Sequence, residues 1–479
     1  MPQIELPAGS HYASMWGIPD QYAGMTASML QRSRAFVKFA GVEVTILTYE
    51  HRDNYDEVRD RLRGSGAMVD GMRLANMWED LRSWKDDRLK AAVNTFQGEV
   101  PDDWEPLGKR GVARGPLIQE LRRETGRHTQ IDYFRADGTM LASDQRHGMD
   151  FRERSVILCD TSGQPLGSSR WVSRLYWLWL DSLPRDPVAW IIADSKTSAN
   201  PLIQYDRPDV AKLHVVRGSH LKRVHGRPTN KLGRSRRAVM ENLDAWDAVV
   251  FLTKTQRDDV ASMMGPRHNL QVIPNSRNVP GELTNVKRPT GRGVMLSSLV
   301  ERKRIQHAIR AMADARGRRL WWRGKLDVWG RGPLKRKLTL LIRKRNAPVK
   351  LRGYSTSAAD AFTTASFSLL TSSAEAFANV LIESMGRGCI PISYDIPYGP
   401  SDIITHGVDG FLVPNGDIEA LAAQIREIVA ASPADLVPIR EAGYKRALDF
   451  SDEHVMQLWS ALMAEIAARR EAQSEAPRA

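Results

Sequence analysis

The sequence predicts an α/β protein with two Rossmann-like domains that face each other across a cleft. Three observations predict this architecture. Strand and helix patterns alternate near both ends of the chain, which is typical of parallel sheets. A glycine loop leads into the first long helix at Gly24, as in the first turn of a Rossmann-like domain. Hairpin patterns interrupt the first alternating region, so a β-rich insertion is expected there.

The order of these patterns divides the chain of 479 residues. The predicted segments are an N-terminal domain over 1–55 and 200–285, an insertion over 56–199, a second domain over 286–450, a closing helix over 451–470 and a disordered tail over 471–479. The insertion is expected to be helical first and then to form a β-meander, because hairpin turns are predicted at Asp137-Gly138 and Ser162-Gly163.

Composition favours a cytoplasmic protein. The sequence is 42% hydrophobic, yet it has no run of about 18 apolar residues that would predict a transmembrane helix. The N-terminus lacks a basic region followed by an apolar core, so no signal peptide is expected. The two cysteines, Cys159 and Cys389, are far apart and show neither metal-ligand spacing nor a disulfide framework.

Positive charge is concentrated in two stretches of a chain whose net charge is +13. Residues 286–352 carry 21 Lys and Arg against three acids, and residues 211–240 contain no acid at all. Such stretches attract polyanions, which include nucleic acid, anionic lipid headgroups and phosphate polymers. A solvated arginine-rich surface would have the same composition, so charge alone leaves both interpretations open.

Glu375 and Glu383 are separated by seven residues and lie where a buried strand is predicted to lead into a helix. A helix that starts at such a loop offers free backbone N–H groups and the positive end of its dipole to a phosphate. A carboxylate two turns further along can accept hydrogen bonds from sugar hydroxyls. The pattern therefore indicates a nucleotide-sugar site.

The segment 371–393 resembles the Glu-x7-Glu motif of retaining glycosyltransferases of family 4 (glycosyl transferases group 1), which have the GT-B fold. The resemblance continues in Tyr394-Asp-Ile-Pro-Tyr-Gly-Pro-Ser-Asp402 and in Gly407-Val-Asp-Gly-Phe-Leu-Val-Pro414. The first of these is most similar to the poly(glycerol-phosphate) and poly(ribitol-phosphate) α-glycosyltransferases of wall teichoic acid.

This resemblance implies roles for the residues of the donor site. Glu375 is expected beside the donor sugar and Glu383 on the ribose. The expected ligands of the donor diphosphate are Lys303, the backbone N–H groups of Ala378, Asn379 and Val380, and the loop at Gly24. Ser298 stands where the family has a second diphosphate cation, so Arg302 or Arg304 would have to replace it. Tyr354 follows a predicted strand and could pack on the uracil or on protein.

His220 is the candidate catalytic histidine, since the family has a histidine after this strand that reaches the donor sugar and the acceptor hydroxyl. His214 lies inside the predicted strand and is expected in the core. Arg217, Arg223 and Arg227 adjoin His220 and are the expected ligands of acceptor phosphate. No metal or other cofactor is expected, because cations and the helix terminus would carry the charge of the leaving group.

The resemblance implies a retaining hexosyltransferase that moves glucose or N-acetylglucosamine from a UDP-sugar to a polyol-phosphate polymer of the cell wall. Contact with the anionic inner face of the plasma membrane and self-association through the insertion are further expectations; nucleic acid is not an expected partner. Two alternatives stay open: a family 4 enzyme with a lipid-linked or small acceptor, and a non-catalytic polyanion-binding protein of the same fold.

Overall fold

The computed structural model describes residues 4–22, 24–94, 96, 98, 100, 104–107, 112–122, 129–147, 153–224, 227–283, 286–317 and 321–475. The chain divides into two compact units. The large unit comprises Met1–Pro7, Gly24–Gly41 and Leu213–Ala479, and the small unit comprises Ala8–Ala23 and Val42–Lys212. Among the described residues, no helix combines the length and the apolar character that crossing a membrane would require.

The small unit is built on a parallel sheet whose strands are mostly buried. Its strands run in the order β10-β1-β2-β3, with β1 at Ser10–Met15, β2 at Val44–Thr48, β3 at Met72–Asn76 and β10 at Ala189–Ala193. The helices are α2 (Tyr55–Gly64), α3 (Met77–Ser83), α4 (Asp86–Val93), α5 (Val172–Asp181) and α6 (Lys196–Ile203). Asn76 ends β3 and caps α3 by accepting hydrogen bonds from Trp78 and Glu79, which is why the chain turns directly from strand to helix.

The small unit also contains a six-stranded antiparallel meander. Its strands follow one another in chain order as β4 (Val112–Gly115), β5 (Ile118–Arg122), β6 (Thr129–Phe134), β7 (Met140–His147), β8 (Glu153–Cys159) and β9 (Pro165–Ser169). The chain turns at Gly138 and Gly163, both of which have positive φ. Trp78 stacks on Tyr133 at 3.8 Å between ring centroids and so joins α3 to the meander.

The insertion predicted over 56–199 is therefore too long. β3 pairs with β2, and β10 pairs with β1, so both strands belong to the Rossmann-like sheet itself. The local pattern could not show this, because a strand belongs to a sheet through its partners, which lie far along the chain. The meander occupies only the middle of the predicted insertion.

The first part of the large unit consists of a parallel strand set, a hairpin and long helices. The strands run in the order β11-β14-β15, with β11 at Val210–Val216, β14 at Ala248–Phe251 and β15 at Leu270–Val272, and the hairpin pairs β12 (Leu221–Val224) with β13 (Arg227–Leu232). The helices are α1 (Met25–Ala40), α7 (Arg237–Met240), α8 (Lys254–Met264) and, from the chain's end, α16 (Asp452–Glu475).

The second part of the large unit is a six-stranded parallel sheet in the order β18-β17-β16-β19-β20-β21. Its strands are β16 (Arg292–Leu296), β17 (Lys325–Trp329), β18 (Val349–Gly353), β19 (Phe367–Leu370), β20 (Ile390–Tyr394) and β21 (Phe411–Val413). The helices are α9 (Ile305–Arg316), α10 (Lys335–Arg345), α11 (Ala361–Thr364), α12 (Asn379–Met385), α13 (Pro400–Ile403), α14 (Ile418–Ala430) and α15 (Val437–Leu448). Buried residues of α9 and α14 pack with this sheet in one apolar core.

α16 closes the large unit by packing on α1. The rings of Trp459 and Phe36 meet at 6.0 Å, and the guanidinium of Arg32 lies 5.2 Å from the Trp459 ring. The helix continues to Glu475, so the tail predicted to be disordered from 471 is helical over its first residues. Arg470 forms an ion pair with Asp247 and anchors this end, and the strong helix formers after it extend the helix.

Candidate active site

The predicted phosphate-binding loop connects β19 to α12. Ala378 occupies the N-cap of α12 with a left-handed backbone (φ 62°), and no side chain caps the helix. The first N–H groups of a helix have no acceptor within the helix, so those of Asn379 and Val380 are available to an anion. The structure thus places the three residues predicted to meet the diphosphate at one helix terminus.

Glu375 lies on the same loop and holds two cations. Its carboxylate accepts from Lys303 Nζ at 2.5 Å and from Arg302 Nη1 at 3.0 Å. Arg302 also donates to the Ala374 carbonyl at 2.8 Å, and Thr371 Oγ1 donates to the Lys303 carbonyl at 2.9 Å. The loop after β19 and the turn after β16 are therefore bound together through backbone and side chains.

The residue that accompanies Lys303 is Arg302. Ser298, at the position where the resembled family has a cation, is an exposed residue two positions after the end of β16. Arg304 has a left-handed backbone (φ 45°) and donates to Asn415 at 2.8 Å. Arg302 and Arg304 flank Lys303 in sequence. Of these two arginines, Arg302 is the one that contacts Glu375 in the described part of the structure.

The charges around Glu375 decide its protonation state. Burial by itself raises the pKa of this carboxyl group, but the charges of Lys303 and Arg302 outweigh burial and hold the pKa below its ordinary value. Glu375 is therefore ionised at neutral pH. A fixed negative charge with two cations beside a helix N-terminus can bind hydroxyl groups on one side and phosphate on the other.

Glu383 forms an ion pair that the sequence analysis did not predict. Its carboxylate accepts from Arg277 Nε at 2.9 Å, and Arg277 Nη2 donates to Ser28 Oγ of α1 at 3.3 Å. Asn379, at the start of α12, also donates to Ser28 Oγ at 3.4 Å. Gly24 caps α1 one turn before Ser28, so it lies near the contacts of Arg277 and Asn379. The space beside its Cα is open, because no described atom beyond its neighbours in the chain lies within 4 Å of the position that a Cβ would take.

Asn275 extends this polar network to Arg217. It accepts from Arg217 Nη1 at 2.6 Å and donates to the side chain of Asn379 at 3.0 Å. Sequence reasoning placed this segment only within the N-terminal domain predicted over 200–285. The polar run Asn275-Ser276-Arg277, which begins three residues after the end of β15, was the signal that could have identified it.

His220 is fully buried, although it was predicted to reach the substrates from a loop. Its ring stacks on Tyr398 at 5.9 Å, and neither ring nitrogen has a hydrogen-bond partner among the described residues. Burial lowers the pKa of His220, and Arg236 acts in the same direction, against the charge of Asp259. The imidazole is therefore neutral at pH 7.

The segment 398–402 connects the second sheet's loops to α8. Tyr398 donates to Asp259 at 2.7 Å, and Asp402 accepts from the Thr255 N–H at 3.0 Å in the first turn of α8. Arg446 donates to the Asp402 carbonyl at 2.8 Å. The conspicuous Tyr-Gly-Pro-Ser-Asp sequence therefore positions His220 and α8 through Tyr398 and Asp402.

Tyr354 and the basic hairpin complete the list of predicted site residues. Tyr354 directly follows β18, is 63% exposed and has the Arg331 guanidinium 4.6 Å from its ring. The hairpin β12–β13 starts directly after His220, whose carbonyl accepts from the Gly233 N–H at 2.8 Å. Arg223 and Arg227 lie on its two strands, but their side chains fall outside the described part of the structure. His214 lies within β11 and is buried against Trp246.

The loops that contain Lys303, Glu375 and Tyr398 lie within a segment that matches a known family. A family model described as glycosyl transferases group 1 matches residues 290–446, which include Lys303, Glu375, Glu383 and Tyr398. Residues 290–446 form a glycosyl transferases group 1 domain. This domain covers the second sheet of the large unit and the helices around it.

Relatives of known function extend the similarity beyond this domain. A poly(ribitol-phosphate) α-N-acetylglucosaminyltransferase of Staphylococcus aureus is 23% identical over 454 residues, which cover 85% of this chain and 90% of the relative. A poly(glycerol-phosphate) α-glucosyltransferase of Bacillus subtilis is 21% identical, over 95% of this chain and 75% of the relative. An exopolysaccharide phosphotransferase of Streptomyces coelicolor is 30% identical over 59% of this chain, which spans only 29% of that relative.

Solved structures with the same architecture cover nearly the whole chain. The crystal structure of a mutant of S. aureus TarM in complex with fondaparinux, α-GlcNAc-glycerol and UDP superimposes with a TM-score of 0.70 at 20% identity, over 95% of this chain and 100% of that one. The pneumococcal O-GlcNAc transferase GtfA in complex with UDP and GlcNAc has a TM-score of 0.66 at 16% identity, over 96% and 99%. The predicted GT-B fold is thereby confirmed.

Proposed function

We propose that this protein is a retaining hexosyltransferase that moves glucose or N-acetylglucosamine from a UDP-sugar to a polyol-phosphate polymer of the teichoic acid type. The observation that carries the proposal is the Glu375 cluster: a carboxylate bound to Lys303 and Arg302, on the loop that opens α12. This arrangement provides both cations and backbone donors for a leaving diphosphate, and a fixed charge for the sugar.

The donor would bind along the loops of the second sheet. Lys303, Arg302 and the N–H groups of Asn379 and Val380 would neutralise the diphosphate, and Glu375 would accept hydrogen bonds from the sugar hydroxyls. Glu383 would hold the ribose, with Arg277 orienting its carboxylate through the contact at 2.9 Å. Tyr354, exposed and following β18, would cover the uracil.

The reaction would proceed at the front face of the sugar. The acceptor oxygen forms a bond to the anomeric carbon while the bond from that carbon to the β-phosphate oxygen breaks, and the departing diphosphate takes the proton of the acceptor hydroxyl. His220 is neutral and buried against Tyr398, so its ring would add no charge and would form a hydrogen bond near the sugar only where substrate binding uncovers it. Charge neutralisation by Lys303 and Arg302 requires no metal, so we expect transfer to continue in EDTA.

The acceptor would be recognised through phosphate. Arg217 lies in the polar network that reaches Asn379, and the hairpin that carries Arg223 and Arg227 starts next to His220. The names of the two teichoic-acid-type relatives, which match most of this chain, support a polyol-phosphate acceptor. We propose that the protein works in the cytoplasm, where UDP-sugars are made.

A matrix of donors and acceptors tests this function. Purified protein is incubated with UDP-glucose or UDP-N-acetylglucosamine and with poly(glycerol phosphate), poly(ribitol phosphate) or a lipid-linked sugar, and transfer and free sugar are measured. We expect transfer to a polyol phosphate. In Glu375→Gln the transfer rate should fall by at least roughly 100-fold, because the substitution removes the negative charge of the carboxylate from the site. Glu301→Gln, an exposed acid in the same turn as Lys303, is the matched control.

The outcomes separate the alternatives. Transfer only to the lipid-linked sugar would assign another acceptor class to the same site. Binding of polymer without transfer or donor hydrolysis, for every donor, would make the protein a non-catalytic polyanion-binding relative.

A further inference from the structure

The second sheet of the large unit has a cationic edge that the proposed reaction does not use. Because the strands are parallel, β16, β17 and β18 all begin at one edge, whereas the loops with Lys303, Tyr354 and Glu375 follow strand ends at the other. The two edges are separated by the length of the strands, which is roughly 16 Å for a strand of five residues. We call this edge, with Lys287, Arg292, Trp321, Arg323, Lys325 and Arg345, the amino edge.

The cations of the amino edge are exposed and make no ion pair with any residue that the structure describes. Arg292 and Lys325 are register partners at the starts of β16 and β17, so their backbones are adjacent. Arg345 ends α10, whose end is fixed next to α9 by the hydrogen bond from Arg316 Nη1 to the Asn346 carbonyl at 2.9 Å. The like charges are thus held together by the fold although they repel one another.

A groove of about 1830 Å³ opens at this edge. Lys287, Arg292 and Lys325 lie along it, whereas its acids are Glu441 and Asp327, and Asp327 is already paired with Arg352 at 2.7 Å. Two further arginines of its wall, Arg288 and Arg440, donate to backbone carbonyls and serve the fold. The groove therefore presents a net positive lining to solvent.

Trp321 adds an apolar group to the same edge. Its side chain is 92% exposed, whereas the adjacent Trp322 packs against the core, where Gly324 leaves room because a Cβ would lie 2.3 Å from the Trp322 ring. The fold therefore uses one indole and leaves the other in water. An exposed tryptophan among cations is the pattern of proteins that dock on the headgroup region of a bilayer.

We propose that the amino edge docks the protein on an anionic phospholipid surface. The cations would contact lipid phosphates, and the Trp321 indole would insert at the level of the headgroups. A lipid surface accounts for the indole as well as the charge, whereas a soluble phosphate polymer would account only for the charge. Docking by this edge leaves the opposite edge, with Lys303 and Glu375, facing away from the bilayer.

Vesicle co-sedimentation of the full chain tests the proposal. The vesicles are phosphatidylcholine alone or phosphatidylcholine mixed with phosphatidylglycerol, at low and high salt. We expect binding only to the mixed vesicles, weakened by salt. Each cation near the surface contributes roughly fivefold in affinity, so the triple variant Arg323→Gln, Lys325→Gln, Arg345→Gln should lose at least about tenfold. Trp321→Ala should also weaken vesicle binding. This loss should be as large at high salt as at low salt, because the contribution of the indole is apolar.

Matched controls come from exposed groups of the small unit. Trp171→Ala removes an indole that is 69% exposed, and Arg63→Gln, Lys90→Gln, Lys196→Gln removes three exposed cations. Equal losses in the controls, or unchanged vesicle binding in the amino-edge variants, would overturn the proposal. If the amino-edge variants instead lose affinity for poly(glycerol phosphate) and not for vesicles, the edge is a second polymer site. Sugar transfer to a soluble acceptor should be unchanged in these variants, so the result is independent of the transfer reaction.

Discussion

The contact between Arg302 and Glu375 predicts that Arg302 supplies the second cation of the diphosphate site. We consider Arg302→Gln, which removes the charge and keeps a long polar side chain. Charged hydrogen bonds contribute about 1.5–3 kcal/mol. The Arg302 side chain is 47% exposed, so solvent screening favours the lower end of this range, which corresponds to roughly a tenfold rise in the Kd for UDP.

Lys303 provides the upper reference for this comparison. Its side chain is 18% exposed and lies 2.5 Å from the same carboxylate, so Lys303→Gln should raise the Kd by roughly 100-fold, toward about 3 kcal/mol. Arg304→Gln is the matched control, because Arg304 carries the same charge one residue further along and is directed to Asn415. It should change the Kd by less than about twofold, because its guanidinium contacts Asn415 and not Glu375.

Isothermal calorimetry with UDP measures all three variants, and thermal unfolding shows that each is folded. A second arginine, Ser298→Arg, added to Arg302→Gln should restore part of the lost affinity by placing a cation at the position that the resembled family uses. Unchanged UDP affinity in Arg302→Gln would refute the assignment, and so would equal losses in Arg302→Gln and Arg304→Gln.

Three further predictions concern the groups around the site. Glu383→Ala should weaken UDP binding by roughly 10- to 100-fold through loss of charged hydrogen bonds, while Arg277→Lys should weaken it less because a cation remains; calorimetry that finds Glu383→Ala unchanged would contradict the ribose role. Tyr398→Phe should lower kcat with little change in the KM for donor, because the ring stack on His220 remains but the tie to Asp259 at 2.7 Å is lost; an unchanged kcat would remove Tyr398 from the site. The pKa of His220 is lowered in the folded protein, so the unfolded chain binds more protons below its ordinary pKa of about 6.5 and stability falls as pH drops through that value. His220→Gln should therefore make the Tm of the protein less sensitive to pH between about 7 and 5, and a slope equal to wild type would contradict the burial of a neutral imidazole.

Local sequence determined the parallel sheets and the position of the phosphate loop. A strand's apolar run and a helix's spacing are properties of neighbouring residues, so the sequence alone is enough to place β19, the loop with Glu375 and the helix with Glu383. The same local patterns predicted the hairpin turns at Gly138 and Gly163, where the structure has positive φ.

Only the tertiary structure decided which side chains meet. Arg302 and Arg304 are equivalent in sequence, and the backbone turn between them directs one to Glu375 and the other to Asn415. Arg277 and Glu383 are 106 residues apart, and Asn275 joins Arg217, 58 residues before it, to Asn379, 104 residues after it. His220 lies in the loop after β11, as predicted, but its ring is buried and stacks on Tyr398. Pattern and spacing describe neighbours along the chain, whereas ion pairs, stacking and sheet membership depend on partners that folding brings from elsewhere.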